Sequence, residues 1–469
     1  MPKPRSSAGL SSARREDRVR AASLEVLADV LEEGQLADRA LSRVLRRERK
    51  LLSGERRAVA ETIYGLLRRE ASLRQALIRG LGTGSLEDFS ASEVHVALLL
   101  GQLQLEGETP DTSGLPPPLR RALRSLRAEL DAELIAAGQR GPSSRLALAH
   151  SLPVWLAEQL VKEIGAPETE RLFTALNQRA PLTLRTNLLR TTREALLRRL
   201  AELAVPGQAT QLSPWGINLD QNPNVFALEP FREGAFEVQD EGSQLLALLC
   251  RARPGQLVVD ACAGGGGKTL ALAAEMRNRG ELWALDVNAR RLAELKPRAR
   301  RAGAHNIRSL ALPEAEPEPV AFAKLTGRAD VVLVDAPCSG IGALRRNPDA
   351  RRRLTAESVE EHAVRQLQIL KRVAPLVRSG GLLVYATCSV LRAEDEAVVA
   401  SFLAAEGTFA AVPISDLLGS ALAESVSGPL SGDGPPDETT GGLRSPKALR
   451  LWPQRHGTDG FFAAGMRRR

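Results

Sequence analysis

The 469-residue sequence predicts three parts: an all-α N-terminal region, a small mixed α/β linking segment, and a doubly wound, Rossmann-like α/β domain at the C-terminus. Three observations carry that reading. Apolar residues recur at three- and four-residue steps through roughly the first 145 positions, the period of amphipathic helices. From about residue 231 onward, short apolar runs alternate with helical patterns, as in a parallel sheet with crossover helices. Two of those runs, residues 330–335 and 381–385, lead directly to cysteines, Cys338 and Cys388. A thiol just past the C-terminal end of such a strand opens into the ligand crevice of the sheet, not into its core.

The first 20 residues are basic and serine-rich but lack the apolar centre of a secretory signal, so a flexible start is expected. Val19, Leu24, Leu27 and Leu31 then mark one amphipathic helix, and Val59, Ile63, Leu66 and Leu67 another. Gly34, Gly54, the glycines from Gly80 to Gly84 and the run Pro116-Pro117-Pro118 are expected to separate the helices. A bundle over residues 1–145 can bury its own core. Its arginines suit a solvated face or an RNA surface, and both stay open. Residues 146–230 read as the link: Pro153 sits in the first turn of a helix, residues 181–187 alternate like a strand, and a helix runs from Arg193 to Leu203. In residues 231–469, strands are expected at 257–260, at 282–286, before each cysteine motif, and at 459–464. Residues 426–446, rich in Gly, Ser, Pro and Asp, read as a mobile surface loop.

Composition sets loose bounds. A hydrophobic content of 43% with 26% charged residues is ordinary for a globular protein and too apolar for disorder. A net charge of +8 permits a polyanionic partner without requiring one. The four cysteines form no CxxC pair and no disulfide framework, which points to a reducing compartment. The five histidines show no metal-ligand spacing, and no apolar run approaches the ~18 residues that span a bilayer. A cytoplasmic protein without metal or membrane is therefore expected, and a monomer is expected without any composition signal for it.

Residues 257–260 run into Asp260-Ala261-Cys262-Ala263-Gly264-Gly265-Gly266-Gly267-Lys268-Thr269, followed by a helix. A phosphate-binding P-loop anchored on Gly267-Lys268-Thr269 would need glycine where Cys262 stands, so that template fails. The D-x-G-x-G-x-G loop of S-adenosylmethionine sites fits better, with Asp260, Cys262, Gly264 and Gly266 at its positions and Cys262 in place of the first glycine. Glycines there let the backbone pass close to the cofactor. Asp286, 26 residues beyond Asp260, ends the next strand, where an acid can accept from ribose hydroxyls. An NAD site suits the same fold but leaves both cysteine motifs unexplained.

Two thiols suit one reaction in particular. Carbon 5 of a pyrimidine is a poor nucleophile towards a methyl sulfonium. A thiolate adding to carbon 6 makes carbon 5 enamine-like, and the adduct then loses its carbon 5 proton and expels the thiol. An acid beside the ring favours the addition, and Asp335, three residues before Cys338, is placed for it. Arg185, Arg345 and Arg346 are candidates for the positive potential that would lower a thiol pKa. Cys250 reads as a small buried hydrophobe, Cys262 as a shaper of the cofactor loop, and Lys268 as either a helix-start charge or a cofactor ligand.

These motifs resemble a known family. D-A-C-A-G-G-G-G-K-T, D-A-P-C-S-G-I-G, L-R-R-N-P-D and Y-A-T-C-S, with P-L-T-L-R-T-N, F-E-V-Q-D-E-G-S-Q and the closing D-G-F-F-A-A, are similar to RNA 5-methylcytosine methyltransferases of the Sun/RsmB type, over residues 146–464. The helical start, with I-Y-G-L-L-R, resembles the NusB-like RNA-binding domain of RsmB-type members. The resemblance implies a class I methyltransferase domain that uses S-adenosylmethionine on ribosomal RNA. It implies Cys388 as the nucleophile, Cys338 as the thiol assisting release, and Asp335 as the acid beside the base. Residues 262–268, Asp286 and Asp335 would hold the cofactor. Two departures stand out: Gly264 and Gly265 replace the family's Ala-Pro, which loosens the loop, and residues 305–313 offer no acid for the adenine. Transfer RNA as substrate, or a non-catalytic RNA-binding assembly factor, are the alternatives.

Overall fold

In the computed structural model, which describes residues 7–314, 317–426 and 448–469, the amphipathic periodicity of the first 177 residues folds as successive helices. All but the first residue of the expected mobile loop, and the very start of the basic N-terminal stretch, lie outside the described residues. Val26, Leu27, Ile63, Leu66, Leu73, Leu77 and Leu98 share one apolar core. Glycine does not always punctuate here. Gly54 lies in the first turn of helix Ser53–Leu67, and Gly80 lies near the end of helix Glu70–Leu81. A Cβ at residue 80 would fall 2.9 Å from Ala122 Cα, so this glycine permits close helix–helix approach. The triple proline likewise does more than turn the chain, since Pro117 begins helix Pro117–Arg124, where a missing N–H costs nothing.

The chain forms two compact units, Met1–Asn177 with Leu344–Thr355, and Gln178–Ala343 with Ala356–Arg469. The segment holding L-R-R-N-P-D thus belongs to the helical unit. Its Arg351 guanidinium is buried and donates to the Arg68 carbonyl at 2.9 Å, the His150 carbonyl at 3.1 Å and Asn177 Oδ1 at 3.0 Å. Burial lowers its pKa to about 9. A cation at these helix ends satisfies carbonyls that lack helical partners.

The second unit contains two sheets. In the smaller, β1 (Thr183–Thr186), β2 (Gly207–Ala209), β3 (Gly216–Leu219) and β4 (Phe236–Val238) pair antiparallel in the order β2-β3-β1-β4 over Leu196, Leu200 and Phe236. The larger sheet is built from β5 (Leu257–Asp260), β6 (Glu281–Asp286), β7 (Ile307–Ala311), β8 (Ala329–Asp335), β9 (Val377–Thr387), β10 (Phe409–Val412), β11 (Ala448–Leu451) and β12 (Phe461–Arg468). Its order is β10-β12-β9-β8-β5-β6-β7, with β11 also on β12. Strands β5 to β9 are mutually parallel, while β12 runs antiparallel to β9. This is the class I methyltransferase sheet. Its central strands are apolar throughout because both faces are covered: Val331 and Leu333 enter one core, Val332 and Val334 the other. The chain winds outward from β5 to β7 and then returns to β8 on the other side of β5. The crevice at this reversal lies beyond the carboxyl ends of the strands.

Candidate active site

Four of the residues singled out in the sequence lie at strand ends on that crevice. Asp260 closes β5, Asp286 closes β6, Asp335 closes β8, and Cys388 follows Thr387 at the end of β9. Together they bound a cleft of ≈1100 Å³. Small-molecule sites run to about 1,000 Å³, so this one is large enough for a nucleoside-sized cofactor. Cys262, Ala263, Gly264, Gly265, Gly267 and Lys268 line it, as do Asp286, Asp335, Cys338 and Cys388. Gly266 does not. It adopts φ +85° at the start of helix Gly267–Glu275, and a Cβ there would lie 2.2 Å from Leu295 Cδ1. Its role is to let the loop turn.

The glycine-rich loop is held more firmly than its composition suggests. The Gly264 amide donates to Asp286 Oδ2 at 2.7 Å, and Asn288 N donates to Asp286 Oδ1 at 2.7 Å. Arg298 Nη1 donates to the Gly265 carbonyl at 2.6 Å while its Nη2 reaches Glu237 Oε2 at 3.0 Å. A Cβ at residue 265 would come within 3.2 Å of both Arg298 and Glu294, so the glycine makes room for this clamp. Arg185, fully buried, donates to the Gly267 carbonyl at 2.6 Å and to Gln239 Oε1 at 2.5 Å. Burial lowers its pKa to about 10. The freedom that four glycines would confer is thereby removed by two guanidinium groups, neither of which the loop sequence announces.

Lys268 Nζ sits 2.6 Å from Asp335 Oδ2. Burial alone would lower the lysine pKa, but the Asp335 carboxylate lifts it above its usual value. The ammonium also interacts with Cys388, making Lys268 a cation within electrostatic reach of that thiol. Of the arginines proposed for that role, Arg185 serves the cofactor loop, and Arg345 and Arg346 belong to the helical unit.

Burial raises the Asp260 pKa to about 7. Its Oδ2 accepts from Thr269 Oγ1 at 2.7 Å, while its buried Oδ1 has no partner among the described residues. An unfolded aspartate ionises near 3.9, so folding takes up a proton between the two values. The stabilisation is complete below about pH 4 and is lost as pH rises towards about 7, on the order of 4 kcal/mol over the window. Asp260→Asn cannot ionise, and its unfolding free energy in urea is expected to vary less than wild type between about pH 5 and about pH 8. An unchanged pH slope would assign the carboxylate a different environment.

The two reactive-site thiols meet: Cys338 Sγ lies 3.2 Å from Cys388 Sγ. The hydrogen bond to Cys388, and then burial, hold the Cys338 pKa well above the ordinary thiol range. Burial also pushes up the Cys250 and Cys262 thiols, in keeping with packing roles. Two further carboxylates lay outside the sequence argument. Glu314, one residue beyond the acid-free stretch 305–313, lines the cleft. Glu394 lies buried behind the thiols and accepts from Ser339 and Ser389, the residues following Cys338 and Cys388. An acidic triplet just past a strand end was its only sequence signal. Among the described residues no group of His, Cys, Asp or Glu could hold a metal, and no helix is long and apolar enough to cross a membrane.

Comparisons with known proteins place the chain in a family. Residues 247–467 match the family described as 16S rRNA methyltransferase RsmB/F, and residues 152–226 match the RsmF/B-like ferredoxin-like domain. A Synechocystis protein named "Probable ribosomal RNA small subunit methyltransferase B" is 31% identical over 94% of this chain and 98% of its own length. The Pseudomonas putida "Ribosomal RNA small subunit methyltransferase B" is 33% identical over 74% of this chain and 71% of its own. The crystal structure of PH0851 superposes with a TM-score of 0.73 at 25% identity, covering 95% of this chain and 98% of that one.

Proposed function

The chain belongs to the 16S rRNA methyltransferase RsmB/F family, and from that premise we propose that it methylates carbon 5 of a cytosine in small-subunit ribosomal RNA through a covalent cysteine adduct. The observation that carries the reading is the pair of thiols 3.2 Å apart on the cofactor cleft. The cleft also fits S-adenosylmethionine: Asp286 can accept from the ribose hydroxyls, the backbone at Gly264, Gly265 and Gly267 would pass close to the bound molecule, and Glu314 can face the adenine. When bound, the cofactor supplies an electrophilic methyl group.

Cys388 Sγ, as thiolate, forms a bond to carbon 6 of the cytosine, and the electron pair of the 5,6 double bond becomes available at carbon 5. Asp335 Oδ2 is engaged by Lys268, so the proton shared with the ring nitrogen falls to the Lys268–Asp335 pair. Once carbon 5 is methylated its proton passes to solvent water, the C–H pair re-forms the 5,6 double bond, and the bond from carbon 6 to Cys388 breaks with its pair returning to sulfur as thiolate. Cys338 Sγ, already in contact with Cys388 Sγ, assists this release. On the same reading, residues 1–145 are a NusB-like RNA-binding domain, residues 146–230 link it, and residues 231–469 carry the transfer in the cytoplasm.

The test is transfer of labelled methyl from S-adenosylmethionine to unmodified 16S rRNA, free and in 30S subunits, with identification of the labelled nucleoside. Labelled 5-methylcytidine is expected. Label confined to transfer RNA would move the substrate, and no label in any RNA would leave only a binding role. Asp286→Asn is expected to weaken S-adenosylmethionine binding by roughly tenfold to hundredfold in calorimetry, since it loses a charged acceptor for both the ribose and the Gly264 amide. Unchanged affinity would place the ribose elsewhere.

A further inference from the structure

We propose that Glu394 is a positioning residue that sets the two thiols in register by holding both thiol-bearing loops on one buried carboxylate. The inference rests on the methyl-transfer reading above and adds a residue to it. Glu394 is 0% exposed. Its Oε1 accepts from Ser339 N at 2.8 Å and from Gln366 Nε2 at 3.1 Å. Its Oε2 accepts from Ser339 Oγ at 2.5 Å and from Ser389 Oγ at 2.6 Å. Ser339 follows Cys338 and Ser389 follows Cys388, so one side chain grips both loops next to their sulfur atoms.

The surrounding bonds extend the grip. Gln366 also donates to the Pro337 carbonyl at 3.0 Å, on the other side of Cys338. Tyr385 bonds the Glu394 carbonyl at 2.5 Å and fixes the acid's own backbone. Asp395 Oδ1 accepts from Thr387 Oγ1 at 2.6 Å, on the other side of Cys388. Each cysteine is thus flanked by anchored neighbours.

The chemistry of the grip requires a carboxylate. Four donors converge on two oxygens, and all four are neutral amide or hydroxyl groups. Glutamine offers one acceptor oxygen: placed at Oε2 it keeps the two serine hydroxyls but sets its NH₂ against the Ser339 amide and Gln366 Nε2, so two of the four bonds are lost. Burying a carboxylate costs several kcal/mol. A fold that needed only packing here would do as well with an apolar side chain. What an apolar side chain cannot do is tie the two loops together. Misplacing reacting groups by about 1 Å can cost roughly 10²-fold in rate.

The closing experiment reads the sulfur geometry without RNA. Diamide, an azo oxidant, removes two electrons and two protons from the thiols as the Sγ–Sγ bond forms, and the disulfide is followed by peptide mapping. In Glu394→Ala and Glu394→Gln full-length proteins, closure of Cys338 with Cys388 is expected to slow by at least about tenfold. S-adenosylmethionine affinity is expected to stay within about twofold, and kcat to fall roughly hundredfold at unchanged KM for the cofactor. Charge works against this outcome, since the Glu394 carboxylate helps to raise the Cys338 pKa and its removal would favour thiolate and faster closure. Slower closure therefore reports position. Wild-type closure with cofactor binding retained overturns the proposal. Should the Glu394 variants also lose the cofactor, Ser339→Ala/Ser389→Ala decides, because it removes two hydroxyl donors and leaves the acid in place. In that variant slowed closure supports the grip and unchanged closure rejects it. A wild-type protein that failed to methylate cytosine would sink the activity and leave the closure result standing.

Discussion

Cys388→Ala is expected to lower methyl transfer by roughly 10⁴-fold or more while leaving S-adenosylmethionine affinity within about a factor of two. The size follows from the chemistry. Without a bond from sulfur to carbon 6, carbon 5 has no enamine character, and neither of the other thiols lining the cleft is placed to supply it. Cys262, the other cysteine on the cleft, is held neutral by burial, and Cys338 has its pKa raised further by contact with Cys388 itself. On the proposed reading the cofactor would lie along Gly264, Gly265, Gly267, Lys268 and Asp286, so removing one sulfur at the end of β9 leaves that lining intact. Single-turnover transfer to unmodified 16S rRNA, with cofactor affinity by calorimetry, checks both halves. Retention of even a tenth of the wild-type rate would remove Cys388 from the nucleophile's role.

Cys338→Ala is expected to fail at the other end of the reaction. The Cys388 thiolate can still add, so methylation should proceed once, but release slows and protein accumulates on RNA as a covalent complex stable to denaturing electrophoresis. Turnover is expected to fall by roughly 10²- to 10³-fold, with a burst near one equivalent of methyl per protein. The double variant Cys338→Ala/Cys388→Ala should give no such complex, which separates a Cys388 adduct from adventitious crosslinking. A Cys338→Ala enzyme that turns over normally and leaves no complex would restrict Cys338 to packing against its neighbour.

Much of this site was legible before any coordinates. Strands β5, β6 and β8 fall within a residue of where the apolar runs place them, because a strand covered on both faces leaves little room for polar residues. The acids at their ends and the two cysteines follow from the same logic, since a residue just past a buried parallel strand has only the crevice to enter. Other expectations failed for equally plain reasons. Gly80 reads as a helix break only when Ala122 is not known to press against it. Strand β9 begins at Val377 and not at Gly381, and β12 continues to Arg468, because pairing with β8 and β10 extends both past their apolar cores.

The sequence by itself determined the layers, the carboxyl-end acids, the cofactor loop and the identity of the two thiols, because each is written in local period or in contiguous motif. Only the tertiary structure decided how those parts are held. Arg298 reaches Gly265 across 33 residues of sequence, and Ser339 reaches Glu394 across 55. Arg351 joins the ends of helices 174 or more residues away. Such bonds leave no periodic trace, since a hydrogen-bonding side chain needs only one partner at about 3 Å, wherever in the chain that partner begins.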